Sequence, residues 1–286
     1  MRDRGATLRN LEAAVRHLRE YLSILMPLVR GEAVDAEGVR RQVEHIIGGG
    51  IHGLVPGGST GEFTTLSVGE RKQATELYID AAAGRVPVIA GTGALSTAET
   101  IDLTRHAADA GAAAVMIVPP FYTAPMWDEL LAHYRAISDA VDIDIMYYNL
   151  PDATGVDLSA EQLAELGRTT RVSSFKDTGG DAVKFSLVRL HHSDSITALN
   201  GYDTLSFSAF AAGAKGSVWG TASVIPQLCA EFYDALAVQG DLVQARALWD
   251  RIFPICEFLE AHNYASAIKT GLDLVGVPAG PVRRPV

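Results

Sequence analysis

Residues 143–179 have the sequence IDIMYYNLPDATGVDLSAEQLAELGRTTRVSSFKDTG, and this stretch contains the unit from which the fold follows. Two apolar runs, 143–151 and 171–179, lie on either side of a periodic segment at 159–167. A continuously apolar run predicts a strand buried on both faces, and a periodic segment between two such runs predicts a helix. The stretch therefore predicts a strand–helix–strand unit with parallel strands.

Six further apolar runs have the same character, so the chain has eight candidate strands. These runs are YLSILMP (21–27), HGLVPGG (52–58), VPVIAGTG (86–93), AAAVMIVPP (112–120), SITALNG (195–201) and GSVWGTA (216–222). Between the eight runs, helices are also predicted at 67–84, 97–110, 127–140, 180–190 and 203–213. Eight such units favour an α/β fold closed into a (β/α)8 TIM barrel. The open, doubly wound alternative is disfavoured because no G-x-G-x-x-G turn follows the first strand.

The chain length of 286 residues suits one barrel of about 250 residues with additions. An amphipathic pattern near the start predicts an extra N-terminal helix at 1–20, followed by the barrel at 21–225. Residues 226–286 contain no further strand signal and predict a C-terminal helical segment with two or three helices. No internal repeat or low-complexity linker interrupts this organisation.

The formal net charge of −10 argues against a nucleic-acid partner, because a phosphate backbone would be repelled. No apolar run reaches the roughly 20 residues that span a bilayer, and the charged start is unlike a secretory signal, so no membrane association is expected. The two cysteines, Cys229 and Cys256, have neither disulfide-framework nor metal-ligand spacing. A soluble protein of the reducing cytoplasm is the expectation.

Lys176 is the first candidate for chemistry, because active sites of barrels lie at the carboxyl ends of the strands. Period-two alternation along Val172–Lys176 directs Lys176 inward and Phe175 toward the helices. An inward lysine loses hydration, which favours the neutral amine that imine formation with a carbonyl substrate needs. The alternative is a structural lysine paired with Asp177, and position alone does not separate the two interpretations.

Other polar residues follow neighbouring strands. The turn with Gly58, Ser59 and Thr60 offers N–H groups and hydroxyls that could hold a carboxylate, although a tight turn needs glycine in any case. Glu62 could orient this turn or be solvated. Tyr148 could relay a proton or be a core tyrosine with a satisfied hydroxyl, and Tyr147 is expected to face the opposite side. The histidines show no metal-ligand spacing, so no metal is expected.

These residues stand in motifs that resemble the N-acetylneuraminate lyase and dihydrodipicolinate synthase family: GGSTGEF, AGTGA, PPFY, YYNLPDATG and SFKDTGGD, in this order, over roughly residues 22–280. The resemblance implies class I, pyruvate-dependent aldolase chemistry without a cofactor. It implies Lys176 as the Schiff-base lysine and Tyr148 as the proton relay. It further implies Ser59 and Thr60 as carboxylate binders and Gly201 as a backbone position lining the pocket.

The same resemblance implies a homotetramer built as a dimer of dimers, in which Tyr122 of PPFY enters a neighbouring subunit's site. Two departures bear on the substrate. Dihydrodipicolinate synthases typically carry an arginine where this chain has Ala153, and it helps to hold the carboxylate of the second substrate. At the last strand, N-acetylneuraminate lyases usually have small polar residues where this chain has Val218 and Trp219, which are expected to line the substrate pocket, with the bulk of Trp219 altering it.

We therefore expect a lyase that cleaves or condenses pyruvate with an aldehyde, with a 2-keto-3-deoxy sugar acid or another 4-hydroxy-2-oxo acid as the preferred aldol. A dihydrodipicolinate synthase and a dehydratase of a deoxy-keto sugar acid use the same imine and remain alternatives. A non-catalytic sensor that binds a 2-oxo acid is the alternative outside enzymes, and intact Lys176, Tyr148 and Ser59 argue against it.

Overall fold

The structure, a computed structural model, describes residues 22–24, 29–30 and 33–285. Ten strands occur in this part of the chain: β1 (Leu22–Ile24), β2 (Val29–Arg30), β3 (Ala33–Val34), β4 (Leu54–Val55), β5 (Ile89–Gly91), β6 (Ala114–Ile117), β7 (Ile145–Asn149), β8 (Val172–Asp177), β9 (Thr197–Asn200) and β10 (Val218–Trp219). β2 and β3 form a separate antiparallel pair. The other eight strands each lie in one of the eight predicted apolar runs.

These eight parallel strands close into a TIM barrel. β10 pairs with β1, β1 pairs with β4, and β5 to β9 pair in succession. Single bridges between Leu54 and Val88 and between Asn200 and Ser217 join the two sheets. The ring of strands is thus complete, and the predicted fold class is confirmed.

Helices cover the outside of the barrel. Within the described residues they are α1 (Ala36–Gly48), α2 (Val68–Ala82), α3 (Thr97–Ala110), α4 (Trp127–Ala140), α5 (Pro151–Thr154), α6 (Ala160–Thr169), α7 (Ala182–His191), α8 (Ser206–Ala211), α9 (Thr221–Val224), α10 (Pro226–Tyr233), α11 (Leu242–Glu260) and α12 (Tyr264–Leu274). Short 3₁₀ turns at Phe63–Thr65 and Asp203–Leu205 precede α2 and α8. A capping box formed by Ser67 and Glu70 opens α2.

Several expectations about the helices differ from the structure. The helix predicted at 203–213 is shorter, because its first turn is the 3₁₀ turn and α8 has six residues. α1 is a helix that was not predicted, although Val39, Val43 and Ile46 have helical spacing and are fully buried. The predicted N-terminal helix at 1–20 lies outside the described residues. The domain boundaries proposed at 20/21 and 225/226 stay predictions, and α10 begins at Pro226.

Alternation along the strands separates two apolar clusters. The inner cluster fills the barrel and includes Val55, Met116, Tyr148, Leu199 and Val218. The outer cluster lies between strands and helices and includes Tyr147, Phe175 and Trp219. Because successive strand residues face opposite sides, adjacent residues at one strand end reach different environments. This alternation decides which side chains can reach the barrel interior.

The C-terminal helices form a third apolar cluster beside the barrel. α9, α11 and α12 contribute Val224, Leu259, Ile268 and Leu272, and the chain after α12 adds Ala279. None of the helices in the described residues combines the length and the apolar character needed to cross a membrane.

Candidate active site

Lys176 lies at the carboxyl end of β8, where the register sets it beside Tyr148 of β7. Its side chain is almost completely buried, at 2% exposure, and Nζ lies 4.0 Å from the centre of the Tyr148 ring. Among the described residues, no carboxylate forms an ion pair with this amine. Contact with the electron-rich face of the ring and packing therefore hold Lys176, and the nitrogen stays available as a nucleophile once it is deprotonated.

Gly201 makes room for this lysine. A Cβ atom at position 201 would lie 2.6 Å from Cγ and 2.7 Å from Cε of Lys176, closer than non-bonded carbons approach. The Gly201 N–H donates to the carbonyl of Asp177 at 2.8 Å, so its backbone is fixed against the end of β8. The sequence suggests a pocket-lining role for Gly201, and the structure gives a steric reason for glycine there.

Asp177, the partner considered for a structural Lys176, is engaged elsewhere. Its Oδ1 accepts hydrogen bonds from Asn149 Nδ2 at 2.7 Å and from the Gly179 N–H at 3.0 Å. Burial raises the pKa of this carboxyl, although the bonds from Asn149 and Gly179 oppose the shift. The interpretation of Lys176 as the cationic partner of Asp177 is therefore wrong for this structure.

The two adjacent tyrosines of β7 face opposite sides, as alternation predicts. Tyr148 belongs to the inner cluster and supplies the ring beneath Lys176. Tyr147 packs in the outer cluster against Tyr134, with ring centres 5.5 Å apart, and burial raises its pKa far above that of a free phenol. Tyr148, and not Tyr147, is therefore the tyrosine that lies beside the Lys176 amine.

The turn after β4, residues 57–62, is here named the cradle turn. Gly57 has a φ of 75°, and a Cβ at Gly91 of the neighbouring strand would lie 2.1 Å from the Gly57 carbonyl oxygen. Glycine at both positions thus lets the two strand ends approach. A Cβ at Gly58 would lie 3.1 Å from Met116 Cε, so the turn rests on the inner cluster. Within the turn Ser59 is exposed and Thr60 is buried.

The structure corrects the expectation for Trp219. Val218 belongs to the inner cluster, but Trp219 faces the outer cluster, where its ring centre lies 6.2 Å from that of Phe232 on α10. Alternation along β10 is the reason, since two adjacent strand residues cannot both face the barrel interior. Trp219 is therefore a helix-packing residue, and the pocket role expected for it is wrong.

A buried carboxylate near Lys176 was not assigned a role from the sequence. Asp203 is 2% exposed, and its Oδ2 accepts from the Thr221 hydroxyl at 2.5 Å, the Thr221 N–H at 2.9 Å and the Tyr264 hydroxyl at 2.6 Å. Burial raises the pKa of Asp203, while the charge of Lys176 is among the influences that lower it. Tyr264 lies 61 residues along the chain on α12, so no local pattern could reveal this group.

Tyr122 of the PPFY motif lies in the open. Its side chain is 87% exposed, whereas the preceding Phe121 packs edge-on against Phe63 at 5.7 Å between ring centres. Within this chain, therefore, Tyr122 does not join the residues around Lys176. Such high exposure is unusual for a large aromatic side chain.

Comparisons with known proteins agree with this architecture. The model of the dihydrodipicolinate synthetase family matches residues 19–286. The 4-hydroxy-tetrahydrodipicolinate synthase of Phenylobacterium zucineum is 40% identical over 94% of this chain and 91% of its own, and that of Rhodospirillum centenum is 38% identical over 94% and 92%.

A solved structure gives the same picture at the level of the fold. The chloride-inhibited dihydrodipicolinate synthase of Acinetobacter baumannii, complexed with pyruvate, is 32% identical with a TM-score of 0.88 and covers 93% of this chain and 92% of that one. The family match extends over nearly the whole chain and includes the strand ends described above. The chain therefore belongs to the dihydrodipicolinate synthetase family, whose members are class I lyases that form a lysine Schiff base with pyruvate.

Proposed function

We propose that Lys176 is the Schiff-base lysine of this enzyme. The observation that carries the proposal is the buried amine at the inner end of β8, which lies over the Tyr148 ring and has no carboxylate partner among the described residues. Lys184 and Lys269, the other buried lysines, are ion-paired with Asp157 and Glu62. An ion-paired ammonium resists the deprotonation that attack on a carbonyl requires.

In the proposed reaction the neutral Lys176 amine adds to the keto carbon of a 2-oxo acid, and the carbinolamine loses water to give an iminium. In the cleavage direction, the C4 hydroxyl loses its proton and becomes the carbonyl of the departing aldehyde, while the electron pair of the breaking C3–C4 bond moves into the iminium and forms an enamine. Tyr148 carries this proton, because its hydroxyl belongs to the ring beside the amine. Protonation of the enamine and hydrolysis then release pyruvate.

The cradle turn is proposed to hold the carboxylate of the 2-oxo acid. Ser59 and Thr60 supply hydroxyls, and Gly58 keeps the backbone close to the inner cluster. Backbone N–H groups of a tight turn bind anions without a charged side chain, which fits the acidic balance of the whole protein. The carboxylate so held fixes the keto carbon for attack by Lys176.

For the second substrate we propose an aldehyde without a carboxylate at the position next to Ala153, so that the preferred aldol is a 2-keto-3-deoxy sugar acid or another 4-hydroxy-2-oxo acid. Ala153 and Asp152 are exposed on α5, the short helix that follows β7. Burial raises the pKa of nearby Tyr202, and the negative charges of Glu260 and Asp152 raise it further. This rim is acidic, and alanine at position 153 gives a second carboxylate no charged partner.

A second candidate function, condensation of pyruvate with aspartate semialdehyde, is favoured by the names of the relatives at 38–40% identity. The two candidates share Lys176, Tyr148 and the cradle turn, and they differ only in the aldehyde. Position 153 separates them, because alanine cannot form the charge-assisted hydrogen bonds that an arginine gives a carboxylate.

We also propose that the enzyme is a cytoplasmic homotetramer built from dimers, in which Tyr122 enters the partner's active site. The support is the 87% exposure of Tyr122 beside the well-packed Phe121. A large aromatic side chain at a protein–protein interface gains apolar contact while its hydroxyl can still bond. Light scattering across a dilution series measures the assembly directly.

Borohydride reduction in the presence of pyruvate tests the central proposal. We expect irreversible inactivation and a mass increase on the single peptide that contains Lys176, with none on peptides containing Lys184 or Lys269. Borohydride without pyruvate is the control and should leave activity intact. A label on another lysine, or no label at all, would contradict the assignment.

A further inference from the structure

The chain after α12 returns to the cradle turn and is fastened there by charged side chains. Val277, Ala279 and Val282 pack against the third apolar cluster, and the Ala279 N–H donates to Asp273 Oδ1 at 2.9 Å. From this anchored segment Arg283 reaches residues on both sides of the 3₁₀ turn at Phe63–Thr65. Residues 277–285 are here named the C-terminal latch.

The first attachment is a buried carboxylate, Glu62. It is 2% exposed, its Oε2 lies 2.5 Å from Lys269 Nζ of α12, and its Oε1 accepts the Arg283 N–H at 2.7 Å. Lys269 Nζ also donates to the carbonyl of Pro281 at 2.9 Å. Glu62 is the last residue of the cradle turn, and these contacts connect the turn to α12 and to the latch.

The second attachment lies at the start of α2. The Arg283 guanidinium donates to both oxygens of Glu70, at 2.6 and 3.0 Å, and to the Thr65 carbonyl at 3.0 Å. This contact with Arg283 is the main cause that lowers the pKa of Glu70 to about 2, so the pair stays ionised at any pH used for an assay. Glu70 also forms the capping box of α2 together with Ser67, so the latch contacts the first turn of that helix.

Glu62 needs such support because of its backbone. With φ 53° and ψ 31° its backbone adopts the left-handed conformation, which residues other than glycine seldom adopt unless their surroundings hold them there. Its N–H donates to the Ser59 carbonyl at 2.9 Å and so closes the cradle turn. The conformation of Ser59 and Thr60 is therefore coupled to the charges that fix Glu62.

We propose that Glu62, Lys269 and Arg283 are positioning residues that preorganise the cradle turn for the carboxylate of the 2-oxo acid. This inference rests on the proposed function. The latch touches neither Lys176 nor Tyr148 in the described contacts, so its effect falls on carboxylate binding rather than on imine chemistry. A small displacement of the groups that bind the carboxylate lowers the affinity for it, because a preorganised site binds tightly only when its groups are already in place before the ligand arrives.

Arg283→Ala is the test, with Arg85→Ala as its matched control. Arg85 holds Glu44 through the same two-pronged contact, at 2.5 and 2.8 Å, and also donates to carbonyls of its own helix end, but it lies at the opposite end of α2. For Arg283→Ala we expect the pyruvate concentration that gives half-maximal borohydride trapping to rise about tenfold, the scale of a lost charged hydrogen bond. The maximal trapping and kcat should change less than about threefold.

Two further variants separate positioning from folding. Arg283→Lys keeps the charge and should recover part of the pyruvate affinity. The double variant Glu62→Gln with Lys269→Met removes the buried ion pair without leaving one charge alone, and it should weaken pyruvate binding at least as much as Arg283→Ala. The unfolding temperature of each variant checks that the protein being titrated is folded.

The inference is overturned if folded Arg283→Ala binds pyruvate like the parent, if kcat falls while pyruvate affinity is unchanged, or if Arg85→Ala shows an equal shift. Failure of the proposed function looks different. In that case the parent protein itself is not trapped by pyruvate at Lys176.

Discussion

Lys176 and Lys269 are both 2% exposed, yet their surroundings are opposite. Lys269 faces the Glu62 carboxylate at 2.5 Å and a backbone carbonyl at 2.9 Å. Lys176 faces an aromatic ring, and no described carboxylate pairs with it. Burying a charge is costly unless it is paired, so the paired lysine belongs to the architecture. The lysine that lacks a carboxylate partner is the one whose burial the fold alone does not explain, and such groups mark functional sites.

The largest effect expected from this difference is on Lys176→Arg. Guanidinium keeps the positive charge but cannot supply a neutral amine near neutral pH, so turnover should fall by roughly 10⁴-fold or more. Steady-state aldol cleavage, with circular dichroism as the check on folding, measures this. Lys184→Arg is the matched control, since it can keep an ion pair with Asp157 and should stay close to the parent rate. Activity near the parent level in Lys176→Arg would remove the basis of the comparison.

The Tyr148 hydroxyl is the next largest expected contribution. Tyr148→Phe keeps the ring under the Lys176 amine and removes only the hydroxyl that we propose carries the proton, so kcat should drop by roughly 10²- to 10⁴-fold. Borohydride trapping of pyruvate should survive better than turnover. Tyr147→Phe on the outer face is the control, and its kcat should be little changed because that hydroxyl lies away from the barrel interior. Similar losses in both variants would indicate a packing effect.

Gly201→Ala disturbs the position of Lys176 without touching its chemistry. The added carbon would lie 2.6 Å from Cγ and 2.7 Å from Cε of Lys176, so the side chain must shift. A displacement on this scale should lower kcat/KM by about 10²-fold. Gly48→Ala, at a helical position with open space around the added carbon, is the control and should be silent. Unchanged kinetics in Gly201→Ala would show that the lysine has more freedom than its packing indicates.

The sequence predicts the barrel well because its signals are local. The eight apolar runs depend on neighbouring residues only, and period-two alternation correctly places Phe175 and Tyr147 on the outer side. The same rule applied to β10 would have excluded Trp219 from the pocket, since Val218 occupies the inner side. That error came from treating adjacent strand residues as one unit.

The parts of the site that could not be predicted depend on distant residues. The sequence leaves two roles open for Glu62, because its partner, Lys269, lies more than 200 residues away on the helix α12. Tyr264 and Asp203 are likewise joined only by the fold. Conversely, the family motifs make Lys176 a candidate without geometry, whereas the steric reason for the glycine at position 201 comes only from the coordinates.

The smallest effect concerns the rim near position 153, where the comparison is reversed: none of the ion pairs among the described residues involves the carboxylates of Asp152 and Glu260. Burial raises the pKa of Tyr202, the charges of Glu260 and Asp152 raise it further, and Ala153 lies beside Asp152. Condensation of pyruvate with aspartate semialdehyde should therefore be slower, in kcat/KM, than cleavage of the best 4-hydroxy-2-oxo acid in a panel. Ala153→Arg should raise kcat/KM for the semialdehyde by about one to two decades, because a charge-assisted contact contributes about 1.5 to 3 kcal/mol. Ala153→Gln, long and polar but uncharged, is the control, and its kcat/KM for the semialdehyde should rise much less.

The contrary outcome is a parent enzyme that already prefers the semialdehyde. It would show that another cation, such as one brought by a neighbouring subunit, holds the carboxylate of the semialdehyde, and it would support the second candidate function.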